Sequence, residues 1–116
     1  MGGMFTGATS FNQPIGSWNT GKVTDMGGMF GGVTAFNQSI GDWNMGNVTF
    51  MSYMFSGATA FNQPINWNVN KVTGMRGLFQ DATSFNKPFG TTFASSVSNV
   101  QDMGYMFRRA TYLRLN

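Results

Sequence analysis

The sequence predicts an α/β repeat solenoid, with a parallel β ladder along one side and short helical or 3₁₀ segments along the other. Three observations predict it. Phe11-Asn12-Gln13-Pro14-Ile15 returns as Phe36-Asn37-Gln38-Ser39-Ile40, as Phe61-Asn62-Gln63-Pro64-Ile65 and as Phe85-Asn86-Lys87-Pro88-Phe89, a period of about 25 residues. Within a unit, Val23, Met26, Phe30 and Val33 fall at i, i+3, i+7 and i+10 with Met29 beside them, which is one apolar side of a helix. The stretch F-N-Q-P-I-G-S-W-N then alternates β-formers with polar residues, as a short strand does. A period between twenty and fifty residues marks a stacked array whose units cannot bury their apolar faces alone.

Counting from the methionine that opens each M-x-x-M-F signature gives units 1–25, 26–50, 51–74 and 75–102 and a partial unit 103–116, in a single domain, 1–116. Thr24 or Asp25 is placed to cap the helical segment, as are Thr49 and Asp102 later. Gly27, Gly28, Gly31 and Gly32 lie inside it, each at a cost of roughly 1 kcal/mol relative to alanine. The predicted helix is therefore short and leans on its neighbours. Proline donates no backbone hydrogen bond, so Pro14, Pro64 and Pro88 open the predicted strand. The third unit is one residue shorter between Ile65 and Trp67 than the first is between Ile15 and Trp18, and Gly16 and Gly41 read as bulges that absorb the extra residue. The fourth unit is irregular: Phe93 stands near the tryptophan position, and about three residues are inserted between Thr91 and Val100.

Stacking sets like on like. The predicted core columns are Phe11, Phe36, Phe61 and Phe85; Trp18, Trp43 and Trp67; and Met1, Met26, Met51, Met75 and Met103. Asn12, Asn37, Asn62 and Asn86 form a predicted polar ladder, each amide donating to one neighbour and accepting from the other.

The pattern carried by Val23-Thr24-Asp25-Met26, Met29-Phe30, Phe36-Asn37-Gln38 and Trp43-Asn44 resembles the BspA-like leucine-rich-repeat surface proteins over essentially the whole chain. That resemblance implies a right-handed leucine-rich-repeat-like solenoid at the cell surface or outside the cell, with a role in adhesion. No export or anchoring segment is visible, which bears on anchoring more than on fold.

The chemistry on offer is narrow. Histidine, cysteine and glutamate are absent, and the only carboxylate side chains, Asp25, Asp42, Asp81 and Asp102, are scattered, so no acid–base pair or metal cage forms. No catalytic residue, metal site or cofactor is therefore expected. The cluster Lys87, Thr91, Thr92, Ser95 and Ser96 lacks a base. The glycine pairs match no phosphate loop. A formal charge of +3 arises from few charges of either sign and gives no basic stripe, so nucleic acid is not an expected partner. No apolar run approaches the ~20 residues of a membrane helix. The sequons at Asn37 and Asn47 leave Asn47, in a turn, as the better glycosylation candidate. Threonine columns (Thr9, Thr34, Thr59, Thr83, Thr111; Thr24, Thr49, Thr73) are expected to satisfy backbone groups.

The expected function is a non-catalytic, surface-displayed module for adhesion or for binding a protein or glycan. The alternative is a structural subunit that stacks head-to-tail into an extracellular filament through Met1, Met4 and Phe5 at one end and Met106, Phe107, Leu113 and Leu115 at the other.

Overall fold

The architecture follows from where the backbone N–H groups of each M-x-x-M-F-x-x segment go. In a computed structural model of the chain, residues 1–110 are described. In the second unit Met29 donates to the Met26 carbonyl (3.3 Å), Gly31 to that of Gly28 (2.9 Å) and Val33 to that of Phe30 (3.1 Å), giving three overlapping turns. The alternating N–H groups cross to the next layer of the stack: Met26, Gly28, Phe30 and Gly32 donate to the carbonyls of Phe50, Ser52, Met54 and Ser56 at 2.8–2.9 Å. Gly27, the remaining one, donates to Asp25 Oδ1 at 2.8 Å. Every donor of the segment is thereby satisfied. The same four-bond pattern joins Met51, Tyr53, Phe55 and Gly57 to Gly74, Arg76, Leu78 and Gln80, and Met75, Gly77, Phe79 and Asp81 to Asp102, Gly104, Met106 and Arg108.

This corrects the expected fold class. Among the described residues there is no strand and a single helix, so the α/β leucine-rich-repeat-like solenoid, with a β ladder on one side and helices on the other, is not the structure. The helical reading fails because the third and seventh residues of the segment have positive φ (Gly28 64°, Gly32 70°), which a right-handed helix excludes and the third residue of a type II turn demands. Consecutive turns and a helix both return an apolar side chain to the same side about every third residue, so the spacing alone does not separate them. Asp25 and Asp102 accordingly cap turns: their Oδ1 atoms accept the Gly27 and Gly104 N–H groups. The strand reading fails too, since the only β pairing between neighbouring units among the described residues is in isolated parallel bridges, Asp25 to Phe50 to Gly74 to Asp102 and Ile65 to Phe89. Gly16 and Gly41 are consequently not bulges but the second residues of turns closed by Trp18 on Ile15 (3.1 Å) and Trp43 on Ile40 (3.2 Å). Gly16 is obligatory, because a Cβ there would lie 2.5 Å from the Ser39 carbonyl oxygen of the next unit.

The stack measures 33 × 30 × 20 Å. Its core holds two phenylalanine columns. Phe11, Phe36, Phe61 and Phe85 stack at 5.9–6.0 Å, and beside them Phe5, Phe30, Phe55, Phe79 and Phe107 stack at 5.4–6.2 Å. Within a unit the two columns touch face to face, 4.2 Å apart for Phe30 and Phe36. Trp43 and Trp67 flank them, buried, with each indole N–H spent on the carbonyl of Ile15 (3.0 Å) or Ile40 (3.1 Å) in the preceding unit. The insertion in the fourth unit is α1 (Thr91–Ser95), a single turn that buries Phe93 and sets it 4.7 Å from Phe89. No helix among the described residues is long and apolar enough to cross a membrane.

Candidate binding surface

In M-x-x-M-F-x-x the phenylalanine and, in the inner units, the methionines point inward, and the x positions form the outer wall; Met4 and Met103 are exposed, which corrects the placing of Met103 in the core column. The third position reads Gly3, Gly28, Tyr53, Gly77, Tyr105, and the seventh Gly7, Gly32, Gly57, Asp81, Arg109; all have φ between 56° and 76°. Glycine adopts this conformation without strain, whereas an L side chain there costs about 1–2 kcal/mol. Tyr53 (φ 60°) and Tyr105 (φ 56°) therefore occupy strained positions, and both remain exposed, at 40% and 51%.

Around them lie further exposed apolar side chains. Of the six exposed large apolar side chains among the described residues, Phe50 and Tyr53 lie beside or within the first turn of the third unit and Met103 and Tyr105 within that of the fifth, while Met4 and Trp18 belong to the first unit. The large side chains lie across glycines of adjacent units. Phe50 covers Gly27 and Gly74, Tyr53 covers Gly77, and Arg76 covers Gly104. The Arg76 guanidinium sits 4.5 Å from the centre of the Tyr105 ring and that of Arg108 5.2 Å from it. Arg76 also pairs with Asp102 at 3.5 Å. Its pKa is pushed above the ordinary arginine range, first by its polar contact with the Tyr53 side chain and then by the charge on Asp102. Further along the wall Arg109 forms a two-pronged pair with Asp81, which raises its pKa as well. Arg108 makes no ion pair among the described residues.

The residues singled out in the sequence lie elsewhere. Phe36, Phe61 and Phe85 are fully buried and Phe11 half-buried, and Trp18 is 38% exposed. Asn37, Asn62 and Asn86 each donate a backbone N–H to the side-chain oxygen of the asparagine one unit earlier, at 2.8–2.9 Å; Asn12 opens the series. The second donor at Asn12 and Asn37 is the Gln38 or Gln63 amide, not an asparagine amide. Asn47 is exposed, but its Nδ2 donates to the Gly21 carbonyl at 2.7 Å and its Oδ1 accepts from Lys71. Threonine hydroxyls donate along the wall, Thr34 to the Thr9 carbonyl and Thr49 to that of Thr24. At the ends Met4 is 54% exposed and Met1 and Phe5 are half-buried, while Met106 is buried and Phe107 half-buried; Leu113 and Leu115 lie outside the described residues. Among the described residues no pocket opens and no group of carboxylates could hold a metal.

A family model described as Mycoplasma protein of unknown function, DUF285, matches residues 1–116. The chain belongs to this family. No BspA-like or leucine-rich-repeat family model matches, which corrects the resemblance drawn from the repeat pattern. No curated protein and no solved structure matches. The family description assigns no activity, so the outer wall carries the functional argument. Its residues escaped a reading that looks for sameness between units. The available signal was the opposite one: a bulky residue where the other units have glycine.

Proposed function

We propose that the chain is a non-catalytic, surface-displayed module that docks a protein partner through the face made by Phe50, Tyr53, Arg76, Met103, Tyr105 and Arg108. The observation that carries this reading is the pair of exposed tyrosines held in left-handed conformation. Strain that brings no burial in return concentrates at functional positions. The composition agrees, because Tyr, Phe, Met and Arg are the residues enriched in protein interfaces and Tyr and Arg dominate their energetic centres. The test is the double variant Tyr53→Gly/Tyr105→Gly, which restores the residue of the other units. It should remain folded and lose adhesion to immobilised protein surfaces that retain the original chain. Equal retention of both overturns the assignment of this face.

Head-to-tail stacking into an extracellular filament is the second reading, favoured by the direction of the ladder. At each unit boundary the N–H groups of one turn segment point to the carbonyls of the next. A heterologous contact with that polarity propagates. Light scattering at increasing concentration decides it: growth in mass supports stacking, and a constant monomer mass excludes it.

A further inference from the structure

Resting on the docking reading above, we infer that this face takes an acidic polypeptide segment, of which a carboxylate meets Arg108 while an apolar side chain lies against Phe50 and Tyr53. Charge gives the first argument. The carboxylates near the face are already engaged, Asp102 by Arg76 and Asp81 by Arg109, which leaves Arg108 as a surplus cation beside exposed aromatic rings. The position of the guanidinium groups gives the second. Those of Arg76 and Arg108 lie 4.5 and 5.2 Å from the centre of the exposed Tyr105 ring, and Arg108, unlike Arg76, has no carboxylate partner among the described residues. A guanidinium gives two parallel N–H bonds to one carboxylate, so Arg108 is the fork that a ligand carboxylate would meet beside the apolar patch.

The backbone narrows the mode of recognition. Across the inner units the N–H groups of the turn segments, that of Ser52 apart, are already donated within the unit, to the next one or to Ser52 Oγ, so no run of free donors lets a partner add itself as a strand along this face. Side chains must do the reading, as in recognition of acidic motifs by arginine clusters. A sulfated glycan or an anionic membrane would satisfy Arg108 equally well in charge. A glycan gives no role to Phe50 and Met103, which are 45% and 44% exposed, and a membrane surface calls for a cluster of several cations, whereas on this face only Arg108 lacks a carboxylate partner among the described residues. Lys71 does not extend the patch: it is bonded to Asn47, in a different part of the unit.

The experiment is an NMR titration of the intact chain with a random copolymer of glutamate and tyrosine, set beside polyglutamate, heparin and vesicles containing anionic lipid. The copolymer should bind tightest and shift signals confined to residues 50–53, 76 and 102–108. Arg108→Glu should weaken it about tenfold or more, while Lys71→Glu leaves it unchanged. Tighter binding to heparin or to vesicles, shifts elsewhere, or no binding of the copolymer overturns the acidic-polypeptide assignment. The two readings fail separately. If the Tyr53→Gly/Tyr105→Gly variant loses adhesion while the copolymer does not bind, the docking face stands and its acidic ligand falls.

Discussion

The ring of Tyr53 occupies the space that a side chain on Gly77 requires: a Cβ there would collide with Cδ1 and Cε1 of that ring. The two residues hold the same position in successive units, and both have φ near +60°. A bulky residue at this position is thus accommodated only because the next unit has none. Gly77→Ala meets the unfavourable backbone and the ring together and should cost about 1–3 kcal/mol. Adding Tyr53→Ala should recover the steric part and leave the backbone part. Urea denaturation of both single variants and the double variant checks this, and strict additivity would show that the ring and the glycine are not coupled.

Phe36 is the mid-column test of the core. It is fully buried, 5.9 Å from Phe11, 6.0 Å from Phe61 and 4.2 Å from Phe30. Phe36→Ala should cost about 3–5 kcal/mol, a large share of the roughly 5–15 kcal/mol available to a small domain. Phe55→Ala, in the second column, should cost the same. A thermal midpoint displaced by only a few degrees in either variant would place that ring outside the main core.

The register of the stack is legible in the sequence because identical residues recur at a fixed spacing and then meet: Phe36 and Phe61 are 25 apart in the chain and their rings are nearly parallel, at 3°. The identity of the local structure is not legible from apolar spacing, since Met26, Met29 and Val33 turn inward from a chain of turns as they would from a helix. The discriminating signal lies in the residues between them. Gly28 and Gly32 recur where positive φ is needed, a requirement no helix interior has. The second phenylalanine column, Phe5 to Phe107, is visible as the F of M-x-x-M-F but merges with the supposed helix face. Tyr53, Arg76 and Tyr105 could be placed on one wall only after the direction of the outer positions was fixed by that turn geometry.

Asn37 Oδ1 accepts both the Asn62 N–H (2.8 Å) and the Gln63 Nε2 (3.1 Å). What matters is therefore a side-chain oxygen at this position, not an amide. Asn37→Leu should cost about 1 kcal/mol, the scale of such bonds where water can partly replace them. Asn37→Asp keeps the acceptor and should cost less. Thermal melts of the two variants at neutral pH compare them directly, and an aspartate as damaging as leucine would mean that the acceptor does not hold the units together.

The tryptophans separate buried from exposed hydrogen bonding within one residue type. Trp43 is 4% exposed and donates its indole N–H to the Ile15 carbonyl at 3.0 Å, across the boundary between the first two units. Trp43→Phe keeps an aromatic ring beside Phe30 but removes the donor, leaving that carbonyl with the Trp18 N–H alone. The cost should be about 0.5–1.5 kcal/mol from the lost bond, with a further contribution from the vacated volume. Trp18 has the same position in the first unit but is 38% exposed, so Trp18→Phe should shift stability by less than about 0.5 kcal/mol, the range of surface substitutions. Urea unfolding followed by the fluorescence of the remaining tryptophans measures both. Equal midpoints for the two variants would show that the Trp43–Ile15 bond does not tie the first unit to the second.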